Sequence, residues 1–243
     1  MTYLENELVD FIQKSYGAIW NVREGRKVPD VDDLTAGNVA VTFEGAVLYA
    51  DLTESTALVR GYNNWFAAEI YKTYLYCASR IITNRGGSIT AYDGDRVMGM
   101  FIGGTKAGDA AAAGLKINYA VNEILNPAIV HQFGDSLNGF ALRQKVGIDI
   151  SDLFVAKTGV RASNDLVWVG NAANNAAKMA ALNLGYSTYI TQSVHDALYE
   201  QAQYAGDPRE DMWVHLPRKV ALREYLHSLA PGSSSNVGPI GDR

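Results

Sequence analysis

The chain has 243 residues, of which 48% are hydrophobic, so it is long and apolar enough to bury the core of one large domain. Its formal net charge of −5 disfavours a general nucleic-acid-binding surface, and its single cysteine excludes an internal disulfide and a cysteine metal cluster. No apolar run reaches the roughly 18 residues of a membrane span, and the first residues lack the positive region of a signal peptide. We therefore expect a cytoplasmic protein with neither a nucleic-acid partner nor a membrane-inserted segment.

The N-terminal region predicts a helix followed by a linker. Apolar side chains recur at helical spacing at Leu4, Leu8, Phe11, Ile12 and Ile19. A charged stretch and Pro29 then end the helical pattern. We expect residues 1–28 to form this helix and linker, residues 29–229 the main domain, and residues 230–243, rich in Gly, Ser and Pro, a disordered tail.

The stretch Gly45–Thr56 places a carboxylate at the end of a buried strand. Residues 46–50 are apolar without alternation, which is typical of a strand covered on both faces. Asp51 ends the strand, where an ionised carboxylate is costly unless a charge pairs with it. Hydroxyl residues follow into a predicted helix start, whose backbone N–H groups can donate to phosphate oxygens. The pattern indicates a metal-bound nucleotide; the alternative is that Asp51 serves only as a helix N-cap or turn residue.

The rest of the chain alternates helices with strands. Ahead of the first strand, residues 30–43 are polar and turn-rich. In chain order we predict a helix over 65–82 that ends at Gly86–Gly87, a hairpin over 88–102 around Asp93–Gly94, an alanine-rich helix over 107–125 that stops before Pro127, a strand pair over 142–150 and 153–158 around Asp152, a strand over 165–169, a helix over 170–184, a strand over 187–191, a helix over 194–203 and a last strand over 220–226. This order is typical of an α+β sandwich with helices packed on a mixed or antiparallel sheet.

A second carboxylate, Asp95, follows the hairpin turn. If the strands that carry Asp51 and Asp95 are antiparallel neighbours, the two side chains lie side by side. Two close carboxylates repel, so either one is protonated or a cation bridges them. Mg²⁺ and Mn²⁺ favour oxygen ligands and need few protein carboxylates when phosphates supply the rest. The alternative is that Asp95 is an exposed turn residue.

Asn174 and Lys178 are four residues apart, so they share one face of a predicted helix. One supplies neutral hydrogen bonds and the other a full positive charge, which together suit negative charge that develops on phosphorus. The alternative is a polar stripe that faces solvent.

Four motifs in order and spacing make the chain similar to the class III nucleotide cyclases over roughly residues 43–192. They are Leu48–Thr56, Gly94–Asp95 with Val97–Phe101, Val146–Ile148, and Gly170 followed by Asn174 and Lys178. The resemblance implies an α+β fold of the ferredoxin-like or palm type, with helices on a mostly antiparallel sheet. It also implies a head-to-tail homodimer with the active site at the interface.

The resemblance further implies a role for each matched residue. Asp51, Asp95 and the carbonyl of Leu52 would bind two divalent ions, Mn²⁺ or Mg²⁺. The backbone of Thr53, Glu54, Ser55 and Thr56 would hold the phosphates of the substrate. Asn174 and Lys178 would stabilise the transition state in the site of the other subunit, with Lys178 in place of the family's arginine and therefore without a bidentate fork.

The positions that read a purine in the family carry other residues here. Ala91 stands four residues before Asp95, and Val167 stands seven before Asn174. Neither can hydrogen-bond a base edge, so we expect the usual purine contacts to be missing. Tyr49 and Arg96 are the candidates that shape a smaller base pocket; Tyr49 could instead be a core aromatic and Arg96 a surface or phosphate contact.

In these features the sequence looks most like the bacterial pyrimidine cyclases of anti-phage defence. That similarity implies that UTP, or less favourably CTP, is converted to a 3′,5′-cyclic monophosphate and pyrophosphate, and that a separate effector protein responds to the product. The alternatives are a purine cyclase with unusual base contacts and a catalytically idle domain that only binds nucleotide or dimerises.

Overall fold

The computed structural model describes residues 2–160, 162–216 and 225–228. Its helices are α1 (Tyr3–Gly17), α2 (Ser55–Gly61), α3 (Asn64–Asn84), α4 (Lys106–Ala120), α5 (Asn126–Phe133), α6 (Asn171–Ala180), α7 (Gln192–His195) and α8 (Glu200–Gln203). Its strands are β1 (Asn21–Glu24), β2 (Val39–Leu52), β3 (Ser88–Asp93), β4 (Arg96–Phe101), β5 (Gln144–Val160), β6 (Ser163–Val169), β7 (Thr188–Thr191), β8 (Tyr204–Ala205), β9 (Glu210–Asp211), β10 (Trp213–His215) and β11 (Tyr225–Ser228).

The chain divides into two structural units, the smaller of which holds residues up to Glu44 together with Asp152–Gly170. Within it, β1 pairs in parallel with the first residues of β2, and the last residues of β5 form an antiparallel pair with β6. Edge-to-face aromatic contacts join Trp20 to Phe154 and Phe43 to Trp168. The predicted N-terminal helix is present as α1, but it buries none of its residues.

The larger unit comprises Gly45–Ser151 and the chain from Asn171 onward. The strands follow the order β10–β11–β7–β5–β2–β4–β3, in which β5 and β7 are parallel while β2–β4, β3–β4, β7–β11 and β10–β11 are antiparallel. Helices α3 and α4 pack on this sheet and on each other. The predicted α+β sandwich on a mixed sheet is therefore confirmed.

The core explains why β2 lies at the centre of the larger unit. Ala46, Val47 and Leu48 are all 0% exposed, so the non-alternating apolar run is buried on both faces as expected. Gly99 on β4 lets the sheet approach α3, because a Cβ there would lie 2.8 Å from a methyl carbon of Ile82. Strand β4, which pairs with β2, can therefore lie close to α3.

Several predicted boundaries are wrong. The predicted break at Asp152 does not exist, because β5 is one strand of 17 residues and Asp152 occupies an exposed position within it. Pro127 does not end the helical stretch, because α4 continues through a π-helical turn over Val121–Leu125 directly into α5, whose first turn contains Pro127. The polar stretch before Phe43 already contains the start of β2 at Val39.

Two helices in the second half of the chain are shorter than predicted. Helix α6 ends at Ala180 rather than at residue 184, and the helix predicted over 194–203 is two single-turn helices, α7 and α8. The last described strand is Tyr225–Ser228; residues 220–224 of the predicted strand and the predicted tail over 230–243 lie outside the described residues. In the described residues no helix is both long enough and apolar enough to cross a membrane.

Candidate active site

Asp51 is the penultimate residue of β2 and lies opposite Arg96, the first residue of β4. The Arg96 Nε lies 3.6 Å from the Asp51 Oδ2, and the Asp51 side chain is only 18% exposed. Burial raises the pKa of Asp51, chiefly because the charged form loses hydration. Arg96 opposes this rise, whereas the negative charges of Asp95 and Asp93 add to it. The ionised form of Asp51 is therefore disfavoured in the ligand-free protein.

The β3–β4 turn brings Asp95 towards Asp51. Asp93 pairs with Arg96 across a two-residue turn, and Gly94 takes its first central position with a φ of 61° that glycine adopts without strain. Because Arg96 is directly opposite Asp51, Asp95 lies within electrostatic range of that carboxylate. The structure thus brings the two predicted carboxylates together at one end of the sheet.

The residues after Asp51 form a tight turn into α2. Leu52 is buried, and the Thr53 N–H donates to the Arg143 carbonyl at 2.9 Å. Glu54 adopts a left-handed conformation with a φ of 62°, and its carbonyl accepts bonds from the first turn of α2. The Thr53 amide is thus already bonded in this conformation, and the predicted phosphate contacts of Thr53, Glu54, Ser55 and Thr56 stay predictions.

Two buried hydroxyl groups lie close to this end of the sheet. Among the described residues, neither the Thr53 Oγ1 nor the Tyr74 hydroxyl has a hydrogen-bond partner. Tyr74 on α3 is 0% exposed, and its pKa is raised by burial and further by the charges of Asp51 and Asp95. Sequence reasoning assigned no role to Tyr74, since one tyrosine in the apolar face of a helix gives no signal beyond core packing.

The candidate base-pocket residues of the larger unit share one face of three adjacent strands. Tyr49 pairs with Met98, and Met98 pairs with Ala91, so these three side chains form a row. Arg96 is two residues from Met98 and therefore on the same face, and its charge counteracts the burial that raises the pKa of Tyr49. Val167 lies on β6 in the smaller unit and is 41% exposed.

Helix α6 presents Asn174 and Lys178 on its exposed face. The opposite face is buried and consists of small residues and one methionine: Ala172, Ala173, Ala176, Met179 and Ala180. Within the described part of the chain, neither Asn174 nor Lys178 bonds to Asp51 or Asp95. In the described part of the chain, Asn174 and Lys178 therefore lie on a different element from Asp51 and Asp95, with their side chains exposed.

The described side chains near Asp51 and Asp95 do not by themselves supply enough ligands for a metal ion. In residues 2–160 and 162–216, no group of three or more His, Cys, Asp or Glu side chains is arranged to hold a metal ion. Any divalent ion held by Asp51 and Asp95 must therefore take further oxygen ligands from the main chain, solvent or a substrate.

Comparisons with known proteins agree with this architecture. The chain is 53% identical over 211 residues to a uridylate cyclase of Xanthomonas perforans. The matched residues cover 86% of this chain and 89% of that protein. It is 45% identical over 212 residues to a uridylate cyclase of Burkholderia cepacia, with 86% of this chain and 90% of that protein covered. No family model matches the chain.

Solved structures give the same fold at low sequence identity. A bacterial light-regulated adenylyl cyclase matches with a TM-score of 0.64 and 21% identity, over 77% of this chain and 52% of that one. The guanylyl cyclase Cya2 matches with a TM-score of 0.63 and 18% identity, over 81% of this chain and 98% of that one. The fold is that of the class III cyclases, as predicted, and the protein is a nucleotide cyclase that belongs to the uridylate cyclase family.

Proposed function

We propose that the protein cyclises a pyrimidine nucleoside triphosphate, UTP in preference to CTP. The ribose 3′-oxygen attacks its own α-phosphorus, the bond from that phosphorus to the bridging oxygen of the β-phosphate breaks, and the 3′-hydroxyl proton is released to solvent. The products are the 3′,5′-cyclic monophosphate and pyrophosphate.

The assignment of a pyrimidine base rests on one observation. Tyr49, Met98 and Ala91 form a row across three strands, with Arg96 beside it. Ala91 offers no hydrogen bond to a purine edge, whereas Tyr49 and Arg96 offer donors. Arginine has donors only, so it suits the O4 carbonyl of uracil and not the amino group that cytosine carries there. The Arg96 Nε faces the Asp51 Oδ2 at 3.6 Å and makes no hydrogen bond among the described residues, so the hydrogen-bonding capacity of the guanidinium is not used up by Asp51. The names of the relatives point to the same substrate.

The residues at the end of β2 fit divalent cations. The negative charges of Asp95 and Asp93 both act on Asp51 there and raise its pKa, and the positive charge of Arg96 opposes them. We propose that Asp51, Asp95 and the Leu52 carbonyl hold two Mn²⁺ or Mg²⁺ ions, with the remaining ligands from the triphosphate. Such ions lower the pKa of the attacking hydroxyl and offset the charge of the leaving pyrophosphate.

The other half of the site would come from a second subunit in a head-to-tail homodimer. Asn174 would orient the ribose, and Lys178 would place a positive charge near the pentavalent phosphorus. Both side chains are exposed on α6, which supports a role outside their own subunit. Glu54, Ser55 and Thr56 would contact the terminal phosphates at the start of α2. We further propose that the product is a cytoplasmic second messenger of antiviral defence, read by a separate effector protein.

A nucleotide panel tests the reaction. The protein is incubated with Mn²⁺ and each of UTP, CTP, ATP and GTP, and the products are identified by mass; Asp51→Asn is the matched inactive control. We expect cyclic UMP as the main product. A cyclic purine as the main product would identify a purine cyclase, and metal-dependent binding of UTP without pyrophosphate release would identify an idle domain.

A further inference from the structure

Helix α6, which carries Asn174 and Lys178, packs on strand β5. Residues 147, 149 and 151 alternate along β5 and therefore point to the same face of the sheet. Each of the three contacts α6 in a different way, and together they determine how the helix lies on the strand.

Gly147 lets the backbone of the helix rest directly on the strand. A Cβ at this position would lie 2.1 Å from the carbonyl oxygen of Ala176 and 2.7 Å from the amide nitrogen of Ala180. Ser151 fixes the start of the helix, because its Oγ accepts a hydrogen bond of 3.0 Å from the Ala172 N–H. These contacts fix the distance and the axial position of α6.

Asp149 fixes the rotation of α6 about its axis. The side chain is 3% exposed, and its Oδ2 accepts a hydrogen bond of 2.7 Å from the Asn175 Nδ2. Its Oδ1 accepts a hydrogen bond of 2.6 Å from the Thr191 Oγ1 on β7. Because Thr191 is itself buried, the carboxylate is anchored to the sheet on one side and holds the helix on the other.

A buried carboxylate with only neutral donors is an expensive way to join a helix to a sheet. Well-packed apolar residues of similar volume often stabilise a fold as well or better, so the contribution of such a group is direction more than stability. Asn175 adjoins Asn174 in the chain and precedes Lys178 by three residues. Fixing Asn175 therefore fixes the direction in which both exposed side chains point.

We propose that Asp149, through Asn175, is a positioning residue for Asn174 and Lys178; this inference rests on the proposed function. A rotation of α6 by about 20° would move a side-chain tip about 6 Å from the helix axis by about 2 Å. A displacement of about 1 Å at a reacting group can cost about a hundredfold in rate. The hydrogen bond from Asn175 to Asp149 thus contributes the rotational part of a geometry on which the proposed transition state depends.

The test compares two variants that each remove one hydrogen bond from the same carboxylate. Asn175→Ala removes the bond to α6, whereas Thr191→Val removes the bond to β7 and leaves the contact with α6 intact. Thr191→Val also removes the N-cap bond that the Thr191 Oγ1 accepts from the Val194 N–H of α7. We expect Asn175→Ala to lower kcat for UTP about 10- to 100-fold with KM within about twofold. We expect Thr191→Val to retain kcat within about threefold, and Asp149→Asn, which can bond to both partners, to retain most of the activity.

Hydrogen–deuterium exchange of the α6 amides in the ligand-free variants gives a readout independent of turnover. Faster exchange in Asn175→Ala than in Thr191→Val supports the assignment. Equal loss of kcat in both variants would indicate a general structural role and overturn it, as would full activity of Asn175→Ala. A wild-type protein that forms no cyclic product from any triphosphate overturns the proposed function instead, so the two failures are distinguishable.

Discussion

At the scale of single residues, the end of β2 combines unfavourable electrostatics with unsatisfied polar groups. Asp51 has a raised pKa because it is desolvated beside other carboxylates, and the hydroxyl of Tyr74 is buried in the field of two of them. Neither feature stabilises the ligand-free fold. Both are expected where a site is organised for a charged ligand rather than for stability.

Replacement of Asp51 by its neutral isostere separates activity from stability. Asp51→Asn should reduce turnover at least about 10²-fold, because a positioned charge is lost. In the ligand-free protein it should raise the free energy of unfolding at neutral pH. The folded-state pKa of Asp51 lies above the ordinary value of 3.8, so its ionisation opposes folding at pH values above that folded pKa.

The pH dependence supplies the check on that sign. As the pH falls below the unfolded pKa, Asp51 is protonated in both states, and the stability difference between wild type and Asp51→Asn should disappear. Urea unfolding at neutral pH and near pH 3 measures it. A variant that is less stable than wild type at neutral pH would contradict the desolvation argument.

Tyr74→Phe should stabilise the ligand-free protein. The change removes a buried hydroxyl that has no hydrogen-bond partner among the described residues, and it leaves the ring in place. We expect the free energy of unfolding to rise by about 1 kcal/mol. Tyr189→Phe is the matched control, because that tyrosine is also fully buried but its hydroxyl accepts a bond from the Leu184 N–H at 3.2 Å. Tyr189→Phe should lower the free energy of unfolding by about the same amount, and equal effects of the two changes would refute the distinction.

At the scale of elements, the site depends on how closely strands and helices approach each other. Strand β2 is buried on both faces and carries Asp51 to the sheet end, while β5 carries no proposed metal ligand or transition-state residue but seats α6 through Gly147, Asp149 and Ser151. The short turn between β3 and β4 fixes Asp95. The positions of the side chains in the proposed mechanism thus depend on how the strands and helices that carry them pack against neighbouring elements.

Gly147→Ala tests the contact of β5 with α6. Its Cβ would meet main-chain atoms of α6, which cannot move aside as a side chain would, so we expect a loss of more than about 2 kcal/mol in the free energy of unfolding. Gly104→Ala is the control, since a Cβ there has nothing within 4 Å. Thermal unfolding of both variants provides the comparison, and a Gly147→Ala protein as stable as the control would contradict the close packing.

At the scale of the whole molecule, the proposed mechanism needs two chains. The carboxylates at the end of β2 and the exposed Asn174 and Lys178 of α6 form no bond with each other in the described part of one chain. A symmetric head-to-tail dimer would bring each set to the other twice. Activity should accordingly depend on protein concentration in the range where the dimer dissociates.

Subunit complementation tests this arrangement. Asp51→Asn and Lys178→Ala should each be nearly inactive, but an equal mixture should recover about a quarter of the wild-type activity, because half of the dimers are mixed and each mixed dimer has one intact site. Activity is measured after the two proteins are mixed, unfolded and refolded together, with each variant refolded alone as the control. Recovery no greater than that of the separate variants would exclude a site shared between subunits.

The amino-acid sequence alone determined the order of most elements, the β3–β4 hairpin, the end of β2 at Asp51 and the cyclase fold. The first three follow from local periodicity and turn chemistry, which are properties of neighbouring residues, whereas the cyclase fold follows from the resemblance of the motifs to a known family. The tertiary structure decided the register that sets Arg96 opposite Asp51, the burial of the Tyr74 hydroxyl, the bonded state of the Thr53 amide and the contact of Asp149 with Asn175. The continuous β5 belongs with these, since Asp152 looks like a turn residue until its neighbours on the sheet are known. Such features depend on residues far apart in the chain, and only packing brings those residues together.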